Sequence, residues 1–288
     1  MTLHQLLNEG TDALVRAGDP EAKLDARRLL LEAFHLDTVH FLMNRMQQLE
    51  QTEAVRKAVC DYHCMIKKRC RRVPLQHIVG NQDFMGLTFK VNRHVLIPRQ
   101  DTETLVETVL EEQKDRKKKV LDICTGSGCI AVSLAVLGGY EDVTATDLSP
   151  EALRLAKENA ERLLDGSRRF RLLQGDLFEP VHETYDIITA NPPYIPTEII
   201  KELQPEVRDY EPAMALDGDE DGLGFYRRIV GEAQAYMNPG GSIYLEIGYD
   251  QGEAVTGLLE KAGFRNIRII KDAPGLDRVV RGEGGCYV

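Results

Sequence analysis

The sequence contains no apolar run near the ~18–20 residues that a membrane span requires. Its longest candidates, such as 130–137, are of core-segment length. It also lacks a leader with a basic start and an apolar stretch, since Glu9 and Asp12 come early. Neither a secretory signal nor a transit peptide is therefore expected, and the chain is expected to stay in the cytoplasm. None of its six cysteines (Cys60, Cys64, Cys70, Cys124, Cys129 and Cys286) falls in a CxxC pair, so free thiols are expected. Cys60, His63 and Cys64 can share a helix face with Cys70 beyond, but the spacing is not that of a zinc site and no metal is expected. Positive charge is short as well. There are 36 Lys and Arg against 46 Asp and Glu, a net charge of -10, which argues against a protein that coats nucleic acid.

What is present is globular. The chain has 288 residues, 43% hydrophobic and 28% charged, which suits one large domain or two unequal ones. The charge is uneven, with a net of +2 over residues 1–80 and -12 over 81–288, and this points to two modules. The basic excess lies between Arg56 and Arg72, a stretch that reads equally as a solvated helix face or a partner-docking surface.

Apolar spacing predicts helices over 2–17, from an Asp19-Pro20 start through Phe34, around Val39 to Met43, and in a run capped by Thr52. This bundle is expected to end before Pro74. A β-hairpin is expected over 82–97 and a helix over 102–113. Strands and helices then alternate. Strands are expected at 119–124, 142–146, 170–173, 185–190, 242–247, 267–270 and 278–280. Helices are expected at 130–137, after Ser149-Pro150 with Leu153, Ala156 and Leu163 on one face, at 222–237 and at 251–261. Such alternation implies a mostly parallel α/β sheet covered on both faces, with ligands at the carboxyl ends of its strands.

The first of those strands runs into Cys124-Thr125-Gly126-Ser127-Gly128, where the glycines let a ligand approach the backbone. The next strand ends in Asp147, whose carboxylate can accept both hydroxyls of a ribose. Ala131 keeps the looser dinucleotide spacing open. Carboxylates at Asp122, Asp147 and Asp176, however, suit a cationic ligand such as S-adenosylmethionine better than a pyrophosphate. Asp176 reads equally as a loop-opening residue or as a partner for an adenine amine.

Asn191-Pro192-Pro193-Tyr194 follows the strand 185–190. Prolines fix the backbone and remove amide donors, leaving carbonyl oxygens as acceptors. The Asn191 side-chain oxygen and the Pro192 carbonyl can take the two N–H bonds of a planar amino group, with Tyr194 offering a flat face. That orients a weakly nucleophilic nitrogen toward an electrophilic methyl. The substrate is then either a nucleobase amine, adenine N6 or cytosine N4, or a glutamine amide. The negative module, with no evident base-flipping domain, favours the amide.

These motifs resemble class I S-adenosylmethionine-dependent methyltransferases, and more closely the HemK-like family of bacterial peptide-chain release factor N5-glutamine methyltransferases. The resemblance runs through Pro74 to Gly80, Phe84 to Leu87, Val95 to Arg99, the glycine loop, Asp147, Asn191 to Tyr194, Glu211 to Gly218, Leu245 to Gly248 and Asp277 to Val280. It implies a doubly wound, mostly parallel seven-stranded Rossmann-like sheet with an N-terminal helical bundle and a hairpin linker. The expected divisions are a substrate-recognition domain at 1–73, a linker at 74–98 and a methyltransferase domain at 99–288. It implies methylation of the glutamine in the Gly-Gly-Gln motif of class I release factors, with S-adenosylhomocysteine as product. Cys124, Thr125, Gly126, Ser127, Gly128, Asp147, Asp176, Leu177 and Asn191 would hold the cofactor. Asn191, Pro192 and Tyr194 would be catalytic, and with Pro193 they would frame the glutamine. Cys124 stands where the family often has glycine. Arg99-Gln100-Asp101-Thr102-Glu103 departs from a common Arg-Pro-Glu-Thr-Glu, leaving Gln100 and Asp101 without an assigned role. A monomer is expected, with no direct nucleic-acid or membrane partner. The competing readings are a nucleic-acid amino-methyltransferase, a non-catalytic nucleoside-binding module docking through 56–72, and an NAD-dependent oxidoreductase.

Overall fold

The computed structural model describes residues 1–166 and 168–285; Cys286, expected to be a free thiol, lies outside them. The helices are α1 (Leu3–Arg16), α2 (Ala22–Phe34), α3 (Thr38–Asn44), α4 (Glu53–Cys70), α5 (Leu75–Val79), α6 (Gln100–Glu112), α7 (Cys129–Ser133), α8 (Pro150–Leu163), α9 (Pro205–Arg208), α10 (Gly224–Ala233) and α11 (Gly252–Lys261). The strands are β1 (Asn81–Phe84), β2 (Leu87–Lys90), β3 (Lys119–Ile123), β4 (Asp142–Asp147), β5 (Arg169–Gln174), β6 (Tyr185–Ala190), β7 (Met237–Glu246), β8 (Arg265–Lys271) and β9 (Asp277–Glu283). Two compact units result: Met1–Gly80 with Gln204–Tyr210, and the remainder.

In the helical unit, Thr2 and Gln5 form a reciprocal capping box that starts α1, and Thr52 caps α4 through the Val55 amide. Leu6, Leu14, Leu29, Leu30 and Tyr62 are fully buried where α1, α2 and α4 meet. Asp19 does not cap α2, which begins three residues later at Ala22. Its carboxylate instead accepts from the Glu21 amide at 3.1 Å and from Arg69 Nη2 at 3.1 Å. A buried ion pair outweighs a capping bond worth ~1 kcal/mol. The bundle also continues past Pro74, because α5 follows it.

In the second unit, β1 and β2 form a hairpin shorter than expected, since residues 91–97 leave the ladder. Its turn, Met85-Gly86, has positive φ at both positions, the twist that suits a two-residue hairpin. The main sheet has the order β5-β4-β3-β6-β7-β9-β8. β9 runs antiparallel to both of its neighbours, and the other pairings are parallel. Side chains alternate across it: Leu121 and Ile123 of β3 pack with Tyr226 and Ile229 of α10 and Val255 of α11. Val120 packs on the other face with Leu105 and Val109 of α6 and with α7. The sheet is thus doubly wound, seven-stranded and mostly parallel.

Three local expectations shift. α8 buries Ala152, Leu155, Ala156, Asn159 and Ala160 rather than a Leu153–Leu163 face. The helix after the glycine loop passes into a wider π turn at Leu134–Gly138. Met237 opens β7 rather than ending a helix. Among the described residues, no helix is long and apolar enough to cross a membrane.

Candidate active site

The glycine loop is held from below. Asp122 is fully buried at the end of β3 and does not line the cavity above it. Its two oxygens accept from the hydroxyls of Thr125 (2.6 Å) and Thr189 (2.8 Å). Burial pushes this carboxyl up to about 7, and the hydroxyl bonds pull it back. Cys124, Gly126 and Gly128 all have positive φ, so the loop's first position carries strain that glycine would avoid. A Cβ on Gly128 would lie 3.2 Å from that of Ala156, so only glycine lets α8 come this close. Asn159, buried on α8, donates to the Ser127 carbonyl at 2.9 Å and locks the loop from the side. In the sequence Asn159 carries one signal, a polar side chain within the apolar stripe of α8.

Above the loop lies a cavity of about 290 Å³, at the carboxyl ends of β3, β4 and β6. Cys124 to Ser127, Asp147, Asp176, Leu177, Asn191 and Pro193 line it, whereas Gly128, Pro192 and Tyr194 stand outside the lining. Asp147 accepts from the Gly126 amide (2.8 Å) on one oxygen and the Ser149 amide (2.9 Å) on the other, and the Leu148 amide faces it as well. A carboxylate offers about four lone pairs, so acceptor capacity remains beyond the three amides. Burial raises this carboxyl, against the lowering effect of the amides. Asp176 sits at the edge, its carboxylate 2.7 Å from Arg228 Nη2. Leu177 is buried with φ of 51°, a second strained residue on the rim. Burial also raises the thiols of Cys124 and Cys129, the latter to about 12, so neither is a ready nucleophile.

At the end of β6, Asn191 donates from Nδ2 to the Thr102 hydroxyl at 3.3 Å. The turn after it is braced from behind. Gln251 donates to the carbonyls of Tyr194 (2.9 Å) and Gly222 (3.2 Å), and Ile195 pairs with Asp217 as an isolated parallel bridge. Tyr194 is half-buried, and burial holds its hydroxyl well above the usual phenol range. Arg99, at the head of α6, meets the buried Glu211 at 2.5 Å. Asp101 lies 3.4 Å from Arg278. Thr102, Glu211 and Glu246 were not singled out as site residues from sequence, although the motifs that contain them were visible.

These residues fit S-adenosylmethionine. Four carboxylates line the cavity, at Asp147, Asp176, Asp217 and Asp219, against one guanidinium, Arg99. That balance suits a sulfonium and an ammonium and disfavours a pyrophosphate. The remaining acceptor capacity of Asp147, on the cavity wall, suits a ribose hydroxyl. A Cβ at Gly126 would meet nothing within 4 Å, so the bare backbone leaves room for a ligand. Among the described residues no cluster of His, Cys, Asp and Glu could hold a metal ion.

Comparison with known proteins agrees with this geometry. The PrmC N-terminal domain family matches residues 5–80 and the methyltransferase small domain family matches residues 100–202. The release factor glutamine methyltransferase of Geobacter sulfurreducens is 43% identical over 99% of this chain and 97% of its own. That of Moorella thermoacetica is 43% identical over 96% and 97%. A methyltransferase from Pyrococcus furiosus shares the fold, with a TM-score of 0.52 over 70% of this chain and 91% of its own, at 20% identity. With such identity over nearly its whole length, the chain belongs to the release factor glutamine methyltransferase family.

Proposed function

We propose that the protein transfers a methyl group from S-adenosylmethionine to the side-chain amide nitrogen, N5, of the glutamine in the Gly-Gly-Gln motif of class I release factors. The observation that carries this reading is Asn191. Its amide nitrogen is tied to Thr102 at the wall of an acid-lined cavity, so its oxygen is left to accept from a substrate N–H.

The cofactor, when bound, supplies a methyl carbon made electrophilic by the sulfonium. The chain supplies binding and aim. Asp147 takes hydroxyl donors, and the Gly126 backbone allows close approach. The Asn191 oxygen and the Pro192 carbonyl accept the two amide protons of the glutamine, and Pro193 and Tyr194 frame it. A carboxamide nitrogen is a poor nucleophile, so orientation carries much of the rate, up to ~7–11 kcal/mol for well-placed reactants. Its proton becomes acidic only as the new bond forms and can leave to water, so no side-chain base is required.

We further propose that residues 1–73 recognise the release factor, that 74–98 link the two modules and that 99–288 carry catalysis. The protein acts as a cytoplasmic monomer without a nucleic-acid partner. Incubation with labelled S-adenosylmethionine and a purified release factor, followed by mass mapping, should place one methyl on the Gly-Gly-Gln glutamine. Asn191→Ala should slow it steeply, leaving a residual rate measurable in single turnover. Label found only on DNA or RNA amines would overturn the reading.

A further inference from the structure

Glu246 ends β7 and is 1% exposed, yet it has no ion-pair partner among the described residues. Its Oε2 lacks any hydrogen-bond partner there. A buried carboxyl left this way is costly and calls for an explanation. The nearby guanidinium, Arg278, is committed elsewhere: it donates to Asp272 at 3.1 and 3.2 Å and to the Ile247 carbonyl at 3.3 Å. The polar groups that face Glu246 are the Thr102 hydroxyl and the Asn191 carboxamide. Both of those residues line the cavity, whereas Glu246 does not.

A hydroxyl beside a carboxamide is ambiguous. Thr102 can accept from the Asn191 nitrogen or, with the amide flipped, donate to the Asn191 oxygen. Only the first arrangement leaves the Asn191 oxygen available to a substrate N–H. A carboxylate accepts and cannot donate. With Glu246 taking the Thr102 proton and also accepting from the Asn191 amide, the Thr102 oxygen can only accept from Asn191, and the amide is locked with Nδ2 inward. The observed bond, Asn191 Nδ2 to Thr102 Oγ1 at 3.3 Å, has that polarity.

We infer that Glu246 is a positioning residue for methyl transfer, fixing through Thr102 the orientation in which the Asn191 carboxamide presents its oxygen to the substrate amide. This rests on the proposed function, because it assigns Asn191 an acceptor's role. It also explains why a threonine stands in the first turn of α6 and why an acid, rather than an apolar residue, ends β7. Glu246 touches neither cofactor nor substrate, so its removal should slow the reaction without loosening the cofactor.

The test compares Glu246→Leu, Glu246→Gln and Thr102→Val with the wild type in single-turnover methylation of a purified release factor, alongside S-adenosylmethionine binding by calorimetry. Glu246→Leu and Thr102→Val should each lower the rate on the order of 100-fold, the scale of a misplaced reacting group, with cofactor affinity unchanged. Glu246→Gln keeps an acceptor oxygen but adds a donor that can point at Thr102, so it should lower the rate less than Glu246→Leu without restoring it. In an Asn191→Ala background, Glu246→Leu should cost nothing further, because residues that act as a unit are not additive. Full activity of Glu246→Leu, or a loss that multiplies with that of Asn191→Ala, would overturn the role. If Glu246→Leu fails to fold, Thr102→Val against Thr102→Ser decides: equal rates overturn the relay, and rescue by serine supports it. An inactive wild type overturns the proposed function and this inference together, whereas an active wild type beside an active Glu246→Leu overturns the inference alone.

Discussion

Both units bury acids, but they compensate them differently. In the helical unit, Asp19, Asp25 and Glu206 gather around the guanidinium of Arg69, at 3.1, 2.5 and 2.8 Å, and Arg72 adds a second bond to Glu206 at 2.8 Å. In the catalytic unit, Asp122 and Glu246 face hydroxyls and an amide instead of a cation's head group. A guanidinium cancels charge and is indifferent to small rotations of its partners. A hydroxyl cancels little charge but has one proton, so it transmits direction. The first arrangement holds chain segments together; the second sets which way an oxygen points at a reaction centre.

The largest expected effect comes from breaking the ionic cluster. Arg69→Leu leaves two buried carboxylates, Asp19 and Asp25, without their shared cation, while the half-buried Glu206 keeps Arg72. Loss of one partner from a buried pair typically costs ~3–5 kcal/mol. Urea denaturation followed by helical circular dichroism should show the helical unit destabilised by about that amount. A change below ~1 kcal/mol, the range of exposed pairs, would show the cluster to be solvated and would remove the contrast.

How much of this was readable beforehand differs between the two chemistries. Strand and helix alternation placed the sheet, because a two-residue period and a 3.6-residue period look different even in one sequence. The glycine loop, Asp147 and Asn191 were visible as motifs at strand ends, since such residues need special φ or exposed oxygens there. The Arg69 cluster was not visible. Asp19 looked like a helix cap because capping is local, while its true partner lies 50 positions away and leaves no periodic trace. The same holds for Glu246 and Thr102: their roles come from the juxtaposition of β7, β6 and the start of α6, which no spacing encodes. The short helices between 199 and 215 were also missed, having neither length nor apolar period to announce them.

The next effect sharpens the contrast inside the catalytic unit. Asp147, unlike Asp122, lines the cavity and keeps acceptor capacity beyond its three amide bonds. Asp147→Ala should weaken S-adenosylmethionine binding by about 1.5–3 kcal/mol, the worth of hydrogen bonds to a charged group. That is ~10–100-fold in Kd by calorimetry, with the Tm little altered by comparison. If Asp147→Ala bound the cofactor normally, the carboxylate would be a loop brace like Asp122 and not a ligand group.

The smallest effect is a pH dependence, and it separates two similar shifts by where they are felt. Burial pushes Asp25 up to about 6 and Glu246 up to about 7. For Asp25 the folded state holds its proton above the unfolded value of 3.8, so its contribution to stability is present below pH 3.8 and is lost as pH rises to about 6. For Glu246 the consequence falls on turnover. Protonated, it gains a donor that can point at Thr102 and release the Asn191 amide to flip, so the rate of methyl transfer should rise with pH through about 7. The charged and titratable groups around it are Arg278, Asp101, Tyr194, Tyr226 and Cys129. The three with phenol or thiol protons sit well above neutrality, and Asp101 lies 3.4 Å from Arg278. Single-turnover rates between pH 6 and 8 should therefore climb in the wild type and climb less steeply in Glu246→Gln, whose amide does not ionise; any slope left there belongs to Asp122 beneath the glycine loop, which burial also pushes up to about 7. A slope unchanged in Glu246→Gln would assign the whole titration to another group and return Glu246 to a purely structural acid, like those around Arg69.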